Sequence, residues 1–148
     1  MNALSRTQFF NYWHRTAAWL AVVGWAATIW WLSSRRGEEI EELNIFEVTD
    51  KVAHFAAFAV GGTLLTIAVR WSTTWEWRKI ALAAVVILAL FGASDEYHQT
   101  FTPNRSGADV FDWLADALGA AAGVALTVSF YARFERSRRP APGDAGGA

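Results

Sequence analysis

A chain of 148 residues is a single domain by length. Its apolar share of 53%, with nine Trp and ten Phe, is high for a soluble domain, and a net charge of −1 offers no basic face to nucleic acid. With no cysteine, disulfides, thiolate nucleophiles and Cys-ligated metals are excluded.

Four apolar segments follow in chain order, at residues 17–32, 52–69, 80–93 and 110–131. The first contains AVVGWAATIWWL, which is apolar all round. A helix of a soluble bundle would keep a polar stripe there. Arg6 and Arg15 precede this segment as they would a signal peptide, but its Trp-rich core and the lack of an A-x-A site favour a retained helix. Residues 1–16 then form an N-terminal interfacial segment. The second apolar segment opens on Asp50, Lys51 and His54. The third falls short of the roughly 17 residues a span requires unless it runs on through Ser94 and beyond. It ends in Asp95, Glu96, His98 and Gln99, and a loop carrying Arg105 follows. Asp109, Asp112 and Asp116 open the fourth. Residues 17–132 are thus expected to form an all-α, four-helix transmembrane bundle, and the basic, Pro/Gly/Ala-rich residues 133–148 a disordered tail.

Orientation follows from the placement of Lys and Arg. With the N-terminus inside, nine of these residues fall in inner segments and four (Arg35, Arg36, Lys51, Arg105) in outer loops. Both termini are therefore expected in the cytoplasm. Trp30, Trp31, Tyr97 and Trp113 would anchor the outer interface, and Trp71, Trp75, Trp77 and Tyr131 the inner one.

On this topology three stretches bring their polar residues to one outer level. Asp112, Asp116, Gly119 and Gly123 share a helix face, whose small residues let another helix come close. Asp50, His54, Gly61 and Leu65 make a similar stripe, as do Gly92, Glu96 and Gln99 with Asp95 beside them. Simpler roles compete: Thr49 or Asp50 as a helix cap, Asp109 as another, and Asp112 as a first-turn acid favoured by the helix dipole. That explanation fails for Asp95 and Glu96, which sit at the unfavourable dipole end. It strains for Asp116, because a carboxylate within a membrane helix costs roughly 2.5–3.5 kcal/mol. Six acids also face only two fixed cations, Lys51 and Arg105. Asp50, Lys51, His54, Asp95, Glu96, Gln99, Arg105, Asp112 and Asp116 are the candidate polar pocket. Arg105 is expected to fold back onto Asp95, Glu96 or Asp112.

Three elements, DKVAHF (50–55), SDEYHQTFTPNR (94–105) and DWLADALGAAAG (112–123), resemble the VanZ-like family of small bacterial multipass membrane proteins. Other members often carry Gly before the loop Arg, where Asn104 stands here, and Asn where Asp116 stands. The resemblance implies a protein of the bacterial cytoplasmic membrane, in a family linked to teicoplanin resistance.

The expected function is an accessory or binding role in the cell envelope, with an outward pocket for a lipid or wall-precursor headgroup. The alternative is a membrane enzyme using His54 and a neighbouring acid for acid/base chemistry on a lipid-linked substrate, with Lys51 and Arg105 holding a phosphate or carboxylate. Ion passage ranks third, because the inner half offers no polar relay. No cofactor is implied. His54, His98 and the carboxylates are nonetheless suitable ligands, so a divalent cation stays open as an alternative.

Overall fold

The computed structural model describes residues 6–43 and 50–137. Thr49, the leading residues 1–5 and residues 138–148 of the expected tail lie outside them. Five helices follow in order: α1 (Arg6–Ser33), α2 (Gly37–Leu43), α3 (Asp50–Ser72), α4 (Trp77–Gln99) and α5 (Val110–Ser137). All but α2 are long and apolar enough to cross a membrane. Twenty-three residues of α3 or α4 rise about 35 Å, against a hydrocarbon core of about 30 Å.

Local sequence explains the boundaries. No proline falls inside a described helix; Pro103 lies in the loop after α4. Helix α4 does run past the apolar stretch, through Asp95 and Glu96 to Gln99. Helix α1 begins at Arg6, so residues 6–16 are its first turns and continue straight into the span. Helix α5 extends to Ser137, so residues 133–137 of the expected tail are helical. Nothing in that stretch breaks a helix. Asp109 is the N-cap of α5: its Oδ1 accepts the Phe111 N–H at 2.7 Å, and its carbonyl accepts the Trp113 N–H.

The helices run up, down, up and down. At one end Ser33 of α1 meets Asp95 of α4, and Lys51 of α3 meets Asp112 of α5. At the other, Trp19 of α1 donates to Ser72 of α3, and Trp77 of α4 packs on Tyr131 of α5. Both ends of the described chain therefore lie on one side, opposite the polar end.

Burial is inverted relative to a water-soluble protein. Leu20, Leu82, Leu90 and Leu126 are each about two-thirds exposed, whereas Asp95, Asp112 and Asp116 are at most 2% exposed. Lipid replaces water around the outer surface, and polar groups must find partners inside. The apolar core runs from Phe58, Leu65 and Val69 of α3 through Ile80, Ala84 and Leu88 of α4 to Ala120 and Val124 of α5.

Glycine sets the closest contact, between α3 and α5. A Cβ on Gly119 would strike the Phe55 carbonyl, one on Gly123 the Ala59 carbonyl, and one on Gly62 the Ala120 carbonyl. Helix α1 attaches differently, through side chains. Trp25 donates its indole N–H to the Ala57 carbonyl at 2.9 Å and packs edge-on against Phe58.

Candidate functional site

Four helix ends and one loop bring the polar residues together. Lys51 donates to Asp112 Oδ1 at 2.7 Å and to Asp109 Oδ2 at 3.3 Å. It thereby ties the start of α3 to the start of α5. One turn further in, His54 Nδ1 lies 2.9 Å from Asp116 Oδ1, and Nε2 lies 3.8 Å from Asp50 Oδ1. His54 thus faces a carboxylate from each ring nitrogen, Asp116 from Nδ1 and Asp50 from Nε2. Two bonds hold the Asp109 carboxyl below its ordinary range, first the Phe111 N–H and then the Lys51 ammonium.

On α4 the acids divide. Asp95 accepts the Ser33 hydroxyl on Oδ1 at 2.6 Å and the Gln99 amide on Oδ2 at 3.0 Å. Both of its oxygens are satisfied by neutral donors. Glu96 points toward α5, where Oε2 accepts the Asp109 N–H at 2.9 Å and its carbonyl accepts the Ala108 N–H. Glu96 therefore folds the 100–109 loop back onto α4. Its Oε1 and Asp116 Oδ2 are the two buried side-chain oxygens without a partner among the described residues. Gly92 makes room for the second, since a Cβ there would sit 2.8 Å from Asp116 Oδ2.

The loop itself needs a left-handed residue. Asn104 has φ of 59°, a conformation that glycine adopts freely and asparagine tolerates. Ala108 also has positive φ, 61°, just before the α5 cap.

The expectation for Arg105 is corrected. Among the described residues it reaches no carboxylate. Its Nη2 and Nε donate to Gln99 Oε1, at 2.9 and 3.3 Å. Gln99 stands between them, giving its carbonyl to Arg105 and its amide to Asp95. Among the described residues Arg105 thus has no carboxylate partner.

A cavity of about 580 Å³ opens beside this network, between α1, α2, α3 and the loop. Its lining is mixed: Ile29, Leu32, Ala53, Ala57 and Phe58 are apolar, but beside Phe58 the most buried lining residues are the polar Ser33, Asp95 and Gln99. Its mouth carries Glu41, Asp50, Asn104 and Arg105, and His54, Asp95 and Gln99 line it too. The nine expected residues therefore do not share one pocket. Asp50, His54, Asp95, Gln99 and Arg105 face the cavity. Lys51, Glu96, Asp112 and Asp116 belong to a strip behind it, at the junction of α3, α4 and α5. These four are absent from the cavity's lining, and His54 lies between the two groups. His98 also lies apart, stacked on Trp30 at 4.1 Å and within 3.0 Å of Ser34 Oγ. Tyr97 faces outward, 66% exposed, as an interface anchor.

Two participants escaped sequence reasoning. Ser33 is buried between α1 and α4 and also accepts the Thr102 hydroxyl on its carbonyl. Helix α2 forms one wall of the cavity, and Asn104 donates to its Glu38. The Ser33-Ser34 pair closing an apolar run was the available signal for the first. The acid-rich stretch GEEIEEL gave none for the second.

Fold and site define a polytopic four-helix membrane protein with a charged network at one end of the bundle. The family model described as VanZ/LLP1 matches residues 5–131, and the chain belongs to that family. No curated protein and no solved structure matches it.

Proposed function

We propose that this chain is an accessory or binding protein of the bacterial cell envelope. In this reading both termini are cytoplasmic, and the cavity opens at the outer face of the cytoplasmic membrane. It receives the headgroup of a lipid or of a lipid-linked wall precursor. The observation that carries the reading is the division of the cavity's lining between apolar side chains and charged or polar ones. That division suits a molecule with a hydrocarbon part and a polar head.

The mouth narrows the chemistry. Arg105, bonded among the described residues to a neutral amide carbonyl, would take a phosphate or carboxylate in bidentate fashion. Asp50 and Glu41 line the same cavity and would repel a purely anionic head. They suit an amine. The ligand class is therefore zwitterionic, with its acidic group on Arg105 and its amine toward Asp50 and Glu41. Lys51, committed to Asp112 and Asp109, takes no part.

Native mass spectrometry of the protein released from nanodiscs tests this. Phosphatidylethanolamine, or an amine-bearing lipid-linked wall precursor, should be retained over phosphatidylglycerol; neutralising Asp50 and Glu41 together should abolish the preference, and Arg105→Ala should weaken retention of both. Preference for only one of the two zwitterionic ligands would identify the source. Equal retention of phosphatidylglycerol, or no effect of Arg105→Ala, would sink the reading. Glycopeptide susceptibility of cells carrying the same variant is the matching cellular measurement.

One observation favours an enzyme as the second reading. His54 lines the cavity with Nδ1 held by the buried Asp116 and Nε2 3.8 Å from Asp50, so a positioned imidazole and an exposed acid face the same space. Turnover of a lipid-linked substrate that is lost in His54→Gln, with ligand retention intact, would support catalysis over binding.

A further inference from the structure

Behind the cavity, His54, Glu96 and Asp116 form a cluster that headgroup binding does not use. One ligand atom from each lies within 4.8 Å of the other two. Glu96 is 4% exposed and Asp116 fully buried, yet each carries an oxygen with no partner among the described residues. A buried carboxylate oxygen left unpaired costs free energy unless something positive meets it.

We infer that His54, Glu96 and Asp116 bind a first-row divalent cation such as Mn²⁺ or Zn²⁺. Three features support this. An ion–ligand bond of about 2.1 Å places neighbouring ligands about 3.0–3.4 Å apart. The His54 Nδ1 to Asp116 Oδ1 separation is already 2.9 Å, so an ion can replace the proton between them. Glu96 has a flexible side chain that can close the third position. The donor set, one imidazole with two carboxylates, suits Mn²⁺ or Zn²⁺ better than Ca²⁺ or Mg²⁺, which favour oxygen alone. Charge is the third feature. Six acids gather at this end of the bundle, and Lys51 and Arg105 are directed away from the cluster, onto Asp112, Asp109 and Gln99. Because His54 also lines the cavity, the ion would sit in its wall with open positions on that side.

The test uses the full chain in phosphatidylglycerol nanodiscs, stripped with a chelator and titrated with Mn²⁺ while free ion is followed by electron paramagnetic resonance. One ion per chain is expected. Glu96→Gln and Asp116→Asn should each weaken its binding at least about tenfold, the scale of losing a coordinating or supporting group. Glu76→Gln, at the far end of α4, should leave it unchanged. Pulsed measurements on the unsubstituted protein should show coupling of Mn²⁺ to a ¹⁴N nucleus of the imidazole, a result that does not depend on any variant folding. No uptake by the unsubstituted protein, or uptake without nitrogen coupling, would overturn the site. The first result would leave a proton shared by Glu96 and Asp116 to satisfy their oxygens. Because the nanodiscs contain no zwitterionic lipid, the outcome is independent of headgroup retention.

Discussion

The α3–α5 seam and the α1–α3 contact are both helix pairs in one bundle, yet they are built in opposite ways. At the seam, Gly62, Gly119 and Gly123 bring backbone against backbone, and the mouth is pinned by Lys51–Asp112 and His54–Asp116. At α1 the contact is made by side chains, Trp25 seated on Gly61 and donating to the Ala57 carbonyl and Trp19 donating to Ser72, while Gly24 stands exposed with open space around it. The first arrangement leaves no room for a side chain at these three glycines. The second leaves room, and the cavity lies there. The Lys51–Asp112 pair and the cavity thereby lie on two faces of α3, with His54 between them.

The seam should give the largest effect when broken. Gly123→Val places two methyl groups against the Ala59 carbonyl, where neither backbone can yield. A loss of about 3 kcal/mol, at the upper end of overpacking costs, is expected. Thermal unfolding in detergent would show a lower Tm or no folded population.

Lys51→Met comes next. It strands Asp112, which is only 2% exposed, and should lower Tm by less than Gly123→Val. Adding Asp112→Asn should restore part of the loss, because the uncompensated buried charge is then gone. No recovery in the double variant would mean that Lys51 acts through packing.

On the other side, Trp25→Phe keeps most of the ring contact with Phe58 but removes the donor to the Ala57 carbonyl. About 1 kcal/mol should be lost, with α1 released before the seam. Hydrogen exchange resolved by helix would show this order. Gly24→Ala should move stability the other way, by about 0.5–1 kcal/mol, as an unhindered helical Gly-to-Ala change does. A destabilising Gly24→Ala would mean that α1 packs more tightly than its open space suggests.

The smallest effect concerns pH at the seam's mouth. The Asp109 carboxyl is held below its unfolded value of 3.8, so its contribution is complete above that value and is lost as pH falls through the lower folded one. Asp109→Asn, which keeps an N-capping oxygen, should flatten that part of a Tm-against-pH curve while leaving Tm near neutral pH little changed.

Spacing alone placed Asp112, Asp116, Gly119 and Gly123 on one face, because a helix repeats every 3.6 residues and smallness admits a neighbour. It also brought the polar ends of α3, α4 and α5 to one level, since short connections force alternate directions. The fate of Arg105 was not legible. A cation among acids suggests a salt bridge, but the left-handed Asn104 turns the loop so that Gln99 intervenes. Nor could sequence divide the nine polar residues between cavity and strip. Asp95 and Glu96 are adjacent on α4, yet a rotation of about 100° between neighbours sends one toward α1 and the other toward α5.

The sequence by itself determined that this is a four-helix membrane protein of the VanZ type with a charged end. Hydropathy, helical period and the order of three motifs are local properties, readable without neighbours. Only the tertiary structure decided which acids are paired, which oxygens remain unsatisfied, and where the cavity lies. These depend on how close one backbone comes to another, which the glycines permit but which takes three packed helices to set.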